Sequence, residues 1–178
     1  MISVRPGSLT DLPALEQIER ETAPMFAPAD LPAALASPLP TSQVAAGVSA
    51  SLLWVAEEAA TSTQVGFVLC ERIAPACLHI REMDVRPAFG RRGVGAKLLA
   101  HVCTVAHDLG LQFVTLTTFS HLPWNAPFYA KNGFHVPDGS TLFSHLTAIL
   151  ERERELGLRN RVAMVKSAAS VEKPLPTN

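Results

Sequence analysis

The stretch from Leu78 to Phe119 constrains the fold most, because it reads as strand, glycine-rich loop, helix and strand in unbroken succession. "LHIREMDV" (78–85) is the first strand and "LQFVTLTTF" (111–119), strongly β-forming, is the second. Between them "RPAFGRRGVGAKLL" (86–99) crowds glycines and arginines into the start of an apolar helix. Along that helix Val94, Leu98, Leu99, Val102, Val105, Ala106 and Leu109 form one stripe, and Gly110 stops it. A unit of this kind lays its helix over one face of a sheet.

The rest of the chain supplies more strands and helices. Residues 2–5 read as a short strand. "SLTDLPALEQIERE" (8–21) reads as a helix capped by Asp11, with Leu12, Leu15, Ile18 and Glu19 at helical spacing. Positions 24–50, rich in Pro, Ala and Ser, read as a loop with a short helix near Leu31–Ala36, a candidate substrate lid. Two further strands, Leu52–Glu57 and Gln64–Arg72, are separated by the turn "EEAATSTQ", and "IAPAC" turns the second into the strand at 78–85. "PWNAPFYAKNGF" (123–134) is a short helix with Asn125 as N-cap, Pro127 in its first turn and Gly133 at its end. "LFSHLTAILERERELG" (142–157) is amphipathic, its apolar side including Phe143, Leu146, Ile149 and Leu150 and its ERERE run forming a solvated face. "RVAMVKS" (161–167) closes as a strand, and Ser167–Asn178 reads as a frayed tail. Hairpin-like strands followed by a β-loop-helix-β unit give an α/β (α+β) chain with a mixed sheet covered by helices.

With 178 residues, 48% of them hydrophobic, the chain suits one domain, assigned to 1–167 with a flexible tail at 168–178. A formal charge of −1 gives no general reason to bind nucleic acid or anionic lipid. No segment reads as a signal peptide or a membrane span, so the expected setting is cytoplasmic. Cys70, Cys77 and Cys103 lack metal-like spacing and read as buried reduced thiols, and no metal is expected.

The glycine loop has several conceivable owners. Gly90 and Gly95 have P-loop spacing, yet Ala96 follows, Lys97 comes one place late and Leu98 replaces the hydroxyl that would bind a metal. Gly93 and Gly95 begin a dinucleotide fingerprint, but Leu98 blocks its third glycine, and the acidic ribose partner is absent where it should stand. An ordinary strand-to-helix turn is the bland reading. The remaining one is a pyrophosphate cradle. Gly90, Gly93 and Gly95 let backbone N–H groups converge, the helix adds its positive end, and Arg91, Arg92 and Lys97 add charge. The polar residues His79, Arg81, Glu82 and Asp84 fit a strand that opens into a cleft better than one covered on both faces.

"MDVRPAFGRRGVGAKLL" (83–99) resembles the acetyl-coenzyme-A motif of the GNAT (general N-acetyltransferase) superfamily: a strand ending in V-x-P, then [Q/R]-x-x-G-x-[G/A], then a helix. Val85, Pro87, Gly93 and Gly95 align, while the family's Gln/Arg position falls on Gly90. "FYAKNGF" (128–134) is similar to the family's late Y-x-x-x-G-F helix, and "VRPGSLTDLPAL" to its opening strand and helix. The resemblance implies a mostly antiparallel sheet of six to seven strands flanked by helices. It also implies an N-acetyltransferase that moves acetyl from acetyl-CoA to a primary amine by direct attack in a ternary complex. A non-catalytic acyl-CoA-binding module and an acyltransferase with a longer donor are the alternatives.

Carried across, the resemblance implies that Met83, Asp84 and Val85 line the pantetheine arm, with a backbone N–H near Met83 as oxyanion donor. Gly90, Arg91, Arg92, Gly93, Val94, Gly95 and Ala96 would hold the pyrophosphate. Tyr129 falls on the tyrosine that protonates the leaving thiolate; its bland reading is a core aromatic. Glu82, three residues before Val85, is the candidate base acting through water, against an equal reading as an ion pair with Arg81 or Arg72. His79 and His121 are weaker candidates for that role. Asn125 could cap its helix or bind the coenzyme arm, although the family asparagine sits one position earlier, at Trp124. Trp124 would wall the acceptor cleft or pack on the following helix. The expected partners are acetyl-CoA and an unidentified amine, in a monomer or homodimer, without nucleic acid or membrane.

Overall fold

A computed structural model describes residues 1–32, 35–138 and 144–168. Six strands form one sheet in the order β1 (Ile2–Pro6), β2 (Leu53–Glu58), β3 (Thr63–Ala74), β4 (Cys77–Val85), β5 (Phe113–Phe119) and β6 (Arg161–Ser167). All neighbours are antiparallel except β4 and β5, which the crossover helix makes parallel. Among the described residues there are five α-helices: α1 (Leu12–Thr22), α2 (Thr41–Ser49), α3 (Val94–Asp108), α4 (Ala126–Lys131) and α5 (Ser144–Glu155). None is long and apolar enough to cross a membrane.

The two faces of the sheet carry separate cores. On one, Leu98, Leu99, Val102 and Ala106 of α3 pack on Trp54, Val68, Leu78 and Val114. On the other, Leu15 and Ile18 of α1 and Val44 of α2 pack on Leu53, Val55, Phe67 and Leu69. Removing these groups from water on both faces is the main stabilising term, and it fixes α1 and α3 on opposite sides of β4.

Several local expectations are corrected. Asp11 starts α1 without a side-chain cap; its carboxylate takes Arg5 (2.7 Å) and reaches back to the Ser8 N–H (2.9 Å). Thr41–Ser49 is helical, because Val44 and Gly47 find a buried face despite the low-propensity composition of the segment. The short helix proposed near Leu31–Ala36 falls partly outside the described residues, as does Phe143. Leu109 is 49% exposed, since α3 ends before the stripe reaches it. Within ERERE, Glu153 is part-buried, because Arg161 on β6 holds it (2.9 Å). Residues 167–168 belong to the fold: Ser167 ends β6, and Ala168 is buried with its N–H on Gln112 O (2.8 Å). Positions 169–178 of the proposed tail lie outside the described residues.

Candidate active site

The site begins with an error of counting in β4. Leu69 of β3 faces Glu82, and the next residue, Cys70, faces Ile80, so Arg81 is an extra residue and the ladder is bulged there. Simple alternation would put Glu82 and Asp84 on the same face as Leu78 and Ile80, against α3. The bulge reverses the phase. Residues opposite one another share a face, so His79 (opposite Glu71), Glu82 (opposite Leu69) and Asp84 (opposite Phe67) lie on the α1 side. Met83 and Val85 take the α3 side and pack on its core.

Beyond the bulge β4 leaves β5. The parallel pairing runs from Cys77–Phe113 to Ile80–Leu116 and ends there, while β4 continues along β3 and β5 continues along β6. The Arg86 N–H donates to Val65 O on β3 (2.9 Å), so strand alternation turns the N–H groups of Val85 and Met83 into the gap. A polar backbone edge thus lies open between two strands of one sheet.

At the end of β4 the chain passes through a single 3₁₀ turn (Pro87–Phe89) into the glycine loop. Arg91 (φ 57°) and Gly93 (φ 80°) are both left-handed, which coils the loop, and Gly93 is the N-cap of α3. The first amide committed to the helix is that of Lys97, to Gly93 O (3.0 Å). Among the described residues the amides of Arg91–Ala96 make no backbone hydrogen bond, so this concave run of donors suits an anion. The cations are less available than their number suggests. Lys97 Nζ donates to Ile2 O at the edge of the sheet (2.9 Å), so its charge is directed there. Arg92 stacks over Phe89 (4.6 Å) and meets Glu58 (3.3 Å).

Gly95 couples this loop to α4. A Cβ at Gly95 would stand 3.0 Å from the Phe128 ring, so the glycine permits the close approach of the two helices. Phe128 meets the Tyr129 ring edge-on at 5.2 Å, and Tyr129 in turn meets Phe134 at 5.9 Å. Asn125 precedes α4 without a side-chain cap bond; its carbonyl accepts the Phe128 and Tyr129 N–H groups instead (2.8 and 3.2 Å). Its side chain lines the cavity.

That cavity, about 810 Å³, occupies the gap and the α1 face. Glu82, Met83, Asp84, Asn125 and Tyr129 all line it, together with His79. Tyr129 is nine-tenths buried and its hydroxyl makes no hydrogen bond among the described residues. Burial, with the charges of Glu82 and Asp84, holds its pKa above the ordinary value, so the hydroxyl keeps its proton. Glu82 forms no ion pair among the described residues; Arg81 goes to Glu71 instead (3.3 Å) and to Gln43 (3.1 Å). Desolvation raises the Glu82 carboxyl to about 8, with Asp84 and Glu19 adding to the effect. Asp84 is likewise raised to about 6 by burial, against a hydrogen bond from Thr22 that lowers it.

His79 is 3% exposed, with Nδ1 3.0 Å from Thr115 Oγ1, and burial lowers it to about 4, which leaves it neutral. His121 stands apart, paired with Asp30 (2.9 Å). Trp124 is 45% exposed and does not line the cavity, so it does not wall the cleft.

The segment expected as a candidate lid lies along the cavity, whereas two side chains around it, Glu19 and Arg161, escaped the sequence reading as site residues. The segment before α2 roofs the cavity with Phe26, Leu31, Leu35 and Leu39, and the Leu39 N–H donates to both oxygens of Glu19 (3.0 and 3.2 Å). On the opposite wall Arg161 fixes Glu153 and Thr117 while its guanidinium lies 4.5 Å over the Phe119 ring. The periodicity of Glu19 marked a helix, but nothing local marked its carboxylate for the cavity.

Comparison with known proteins agrees with this geometry. The model of the acetyltransferase (GNAT) domain matches residues 49–136, from the end of α2 through the glycine loop to just past α4. Among solved structures, Rv2747 from Mycobacterium tuberculosis, in complex with CoA, superposes with a TM-score of 0.69 at 21% identity, over 93% of this chain and 98% of that one. The PaiA N-acetyltransferase of Thermoplasma acidophilum, in complex with coenzyme A, gives 0.68 at 19% identity over 94% and 99%. N-acetylglutamate synthase from Neisseria gonorrhoeae gives 0.71 at 18% identity over 96% of this chain but 36% of that one.

Proposed function

The chain belongs to the GNAT acetyltransferase superfamily, and on that premise we propose that it is an acetyl-CoA-dependent N-acetyltransferase acting on a primary amine. The observation that carries the reading is the gap between β4 and β5. It has a backbone edge along one side, the amides of Arg91–Ala96 at one end and the Tyr129 hydroxyl within it, all without a hydrogen-bond partner among the described residues. Those features suit a long ligand with a phosphate group at one end and an extended amide-bearing arm.

In this reading the amides of Arg91–Ala96 take the pyrophosphate, with Arg91 and Arg92 at its rim; the Gly90 amide, expected among them, is instead committed to Pro87 O (3.0 Å). The free edge of Met83–Val85 pairs with the arm as a strand would, and orients the thioester. The Met83 N–H donates to the carbonyl oxygen as charge develops on it. Glu82, through water, accepts the proton that the ammonium must lose before its nitrogen attacks the carbonyl carbon. As the carbon–sulfur bond breaks, Tyr129 gives its proton to the sulfur. Asn125 stands where its side chain can reach the arm. The buried free cysteines are unsuited to an acetyl-enzyme: desolvation holds Cys70 and Cys77 above their ordinary pKa, away from the thiolate.

Calorimetry with acetyl-CoA, and thiol release over a panel of amines, test this reading. Acetyl-CoA should bind and thiol should appear. Tyr129→Phe should lower kcat by about 10²-fold with acetyl-CoA affinity unchanged. Binding of ADP or NAD in place of acetyl-CoA would overturn the assignment, and an unchanged rate and pH profile in Tyr129→Phe would remove the tyrosine from it.

A further inference from the structure

Resting on the acetyltransferase reading, we propose that the acceptor is a cationic amine with an apolar carbon skeleton and no carboxylate. Its ammonium is held by Glu82, Asp84 and Glu19, and its hydrocarbon part lies against Phe26, Leu35 and Phe119. The charges lining the cavity are sorted. Each of its three arginines already has a carboxylate of its own: Arg81 has Glu71 (3.3 Å), Arg152 has Glu155 (3.4 Å) and Arg161 has Glu153 (2.9 Å). Glu19, Glu82 and Asp84 line the same cavity, and among the described residues none has a salt bridge. The uncompensated charge of the cavity is therefore negative, and it is gathered where β4 faces α1.

Two polar groups that are at least nine-tenths buried point into the same space. The Tyr129 hydroxyl has no hydrogen-bond partner among the described residues, and neither has His79 Nε2, because the His79–Thr115 bond uses Nδ1. Both side chains line the cavity and neither of these two atoms is sealed inside the protein, so each is free to meet a polar group of a ligand. His79 is neutral and Tyr129 keeps its proton, so neither offsets the acidic charge. The hydrocarbon part of the surface comes mainly from the segment before α2 and the end of β5, with uncharged polar groups such as Thr22, Ser37 and Thr118 among it.

A molecule bearing a carboxylate beside its amine would bring like charge to Glu82, Asp84 and Glu19, with every arginine of the cavity already engaged. An amine without that group meets only attraction. The crowding has a further sign: Glu19 is raised to about 7, chiefly by desolvation, with Asp84 contributing. An ammonium entering the cluster would favour its ionised form and strengthen the bond from the Leu39 N–H to Glu19. Binding would in this way tighten the roof over the acceptor.

The test uses matched pairs, phenethylamine against phenylalanine and pentylamine against norleucine, titrated into the full-length protein saturated with coenzyme A. The member without a carboxylate should bind at least tenfold more tightly in each pair. In Glu19→Gln, whose amide oxygen still accepts the Leu39 N–H, that margin should shrink several-fold. Equal affinity, preference for the amino acid, or binding of neither member would overturn the acceptor assignment. Thiol release from acetyl-CoA, followed on the same compounds, reads the activity separately. Faster release with the amino acids would refute the acceptor class and leave the acetyltransferase reading in place. Failure to bind acetyl-CoA together with no release from any amine would refute the activity, while a surviving amine preference in the titrations would still support the charge sorting of the cavity.

Discussion

Glu82 draws its chemistry from what surrounds it more than from what touches it. Among the described residues no cation pairs with it, Asp84 is two residues away on the same face, and the pocket removes most of its water, so its carboxyl rises to about 8. A base with that value is poised near neutral pH, and it works only when ionised. The kcat/KM profile should therefore climb with pH through about 8. Glu82→Gln should lower kcat by about 10²-fold and remove that limb. A limb that persists in Glu82→Gln would place the base elsewhere, and His79 could not supply it, because burial keeps its titration near 4.

At the scale of elements, the glycine loop and the tyrosine helix meet through one atom-sized allowance. Gly95 lets α3 begin against the Phe128 ring, and Phe128 carries the orientation to Tyr129. Gly95→Val should cost about 1–3 kcal/mol of stability by forcing these helices apart. It should weaken acetyl-CoA binding and lower kcat together, measured by chemical denaturation, calorimetry and thiol release. Unchanged acetyl-CoA affinity in a destabilised Gly95→Val would uncouple the loop from α4.

The elements themselves were legible because each has a local signature: the apolar runs of β2 and β3 bounded by turn residues, the stripe of α3, the left-handed stops at Gly110 and Gly133. Helix α2 was not, since its nine residues (Thr41–Ser49) carry a weak pattern and are held by Leu53 and Leu69 from across the fold. Site residues on β4 and in the loop could be named from the resemblance of their motifs, but their facing could not. Which side of the sheet Glu82 occupies depends on its pairing with Leu69, and pairing is a property of two strands. Glu19 and the Arg161–Glu153 pair were missed for the same reason, being brought in from positions far apart along the chain.

For the whole molecule, the acidic cluster sets activity and stability against each other. The carboxyls of Glu19, Glu82 and Asp84 are raised above their ordinary values, to about 7, about 8 and about 6. The folded chain therefore holds protons that the unfolded chain has released, and stability falls as pH rises through these values. His79, lowered to about 4, works in the opposite direction, but only below its ordinary value of 6.5. Between pH of about 6.5 and about 8 the carboxyls govern. In the ligand-free protein the melting temperature should fall across that interval, and Glu82→Gln should flatten the fall. A flat or rising wild-type profile would contradict the crowding of charge.

The bulge at Arg81 makes the site a matter of parity. Replacing the Arg81 side chain leaves the number of residues between Ile80 and Glu82 unchanged, whereas losing one residue there would turn every later side chain of β4 through the sheet. Glu82 and Asp84 would then point into the hydrocarbon around α3, and Met83 and Val85 would face the acceptor. The chemistry of this strand is thus tolerant of spelling and intolerant of length. Among related chains, the spacing from the start of β4 to the glycine loop should vary less than the residues that fill it.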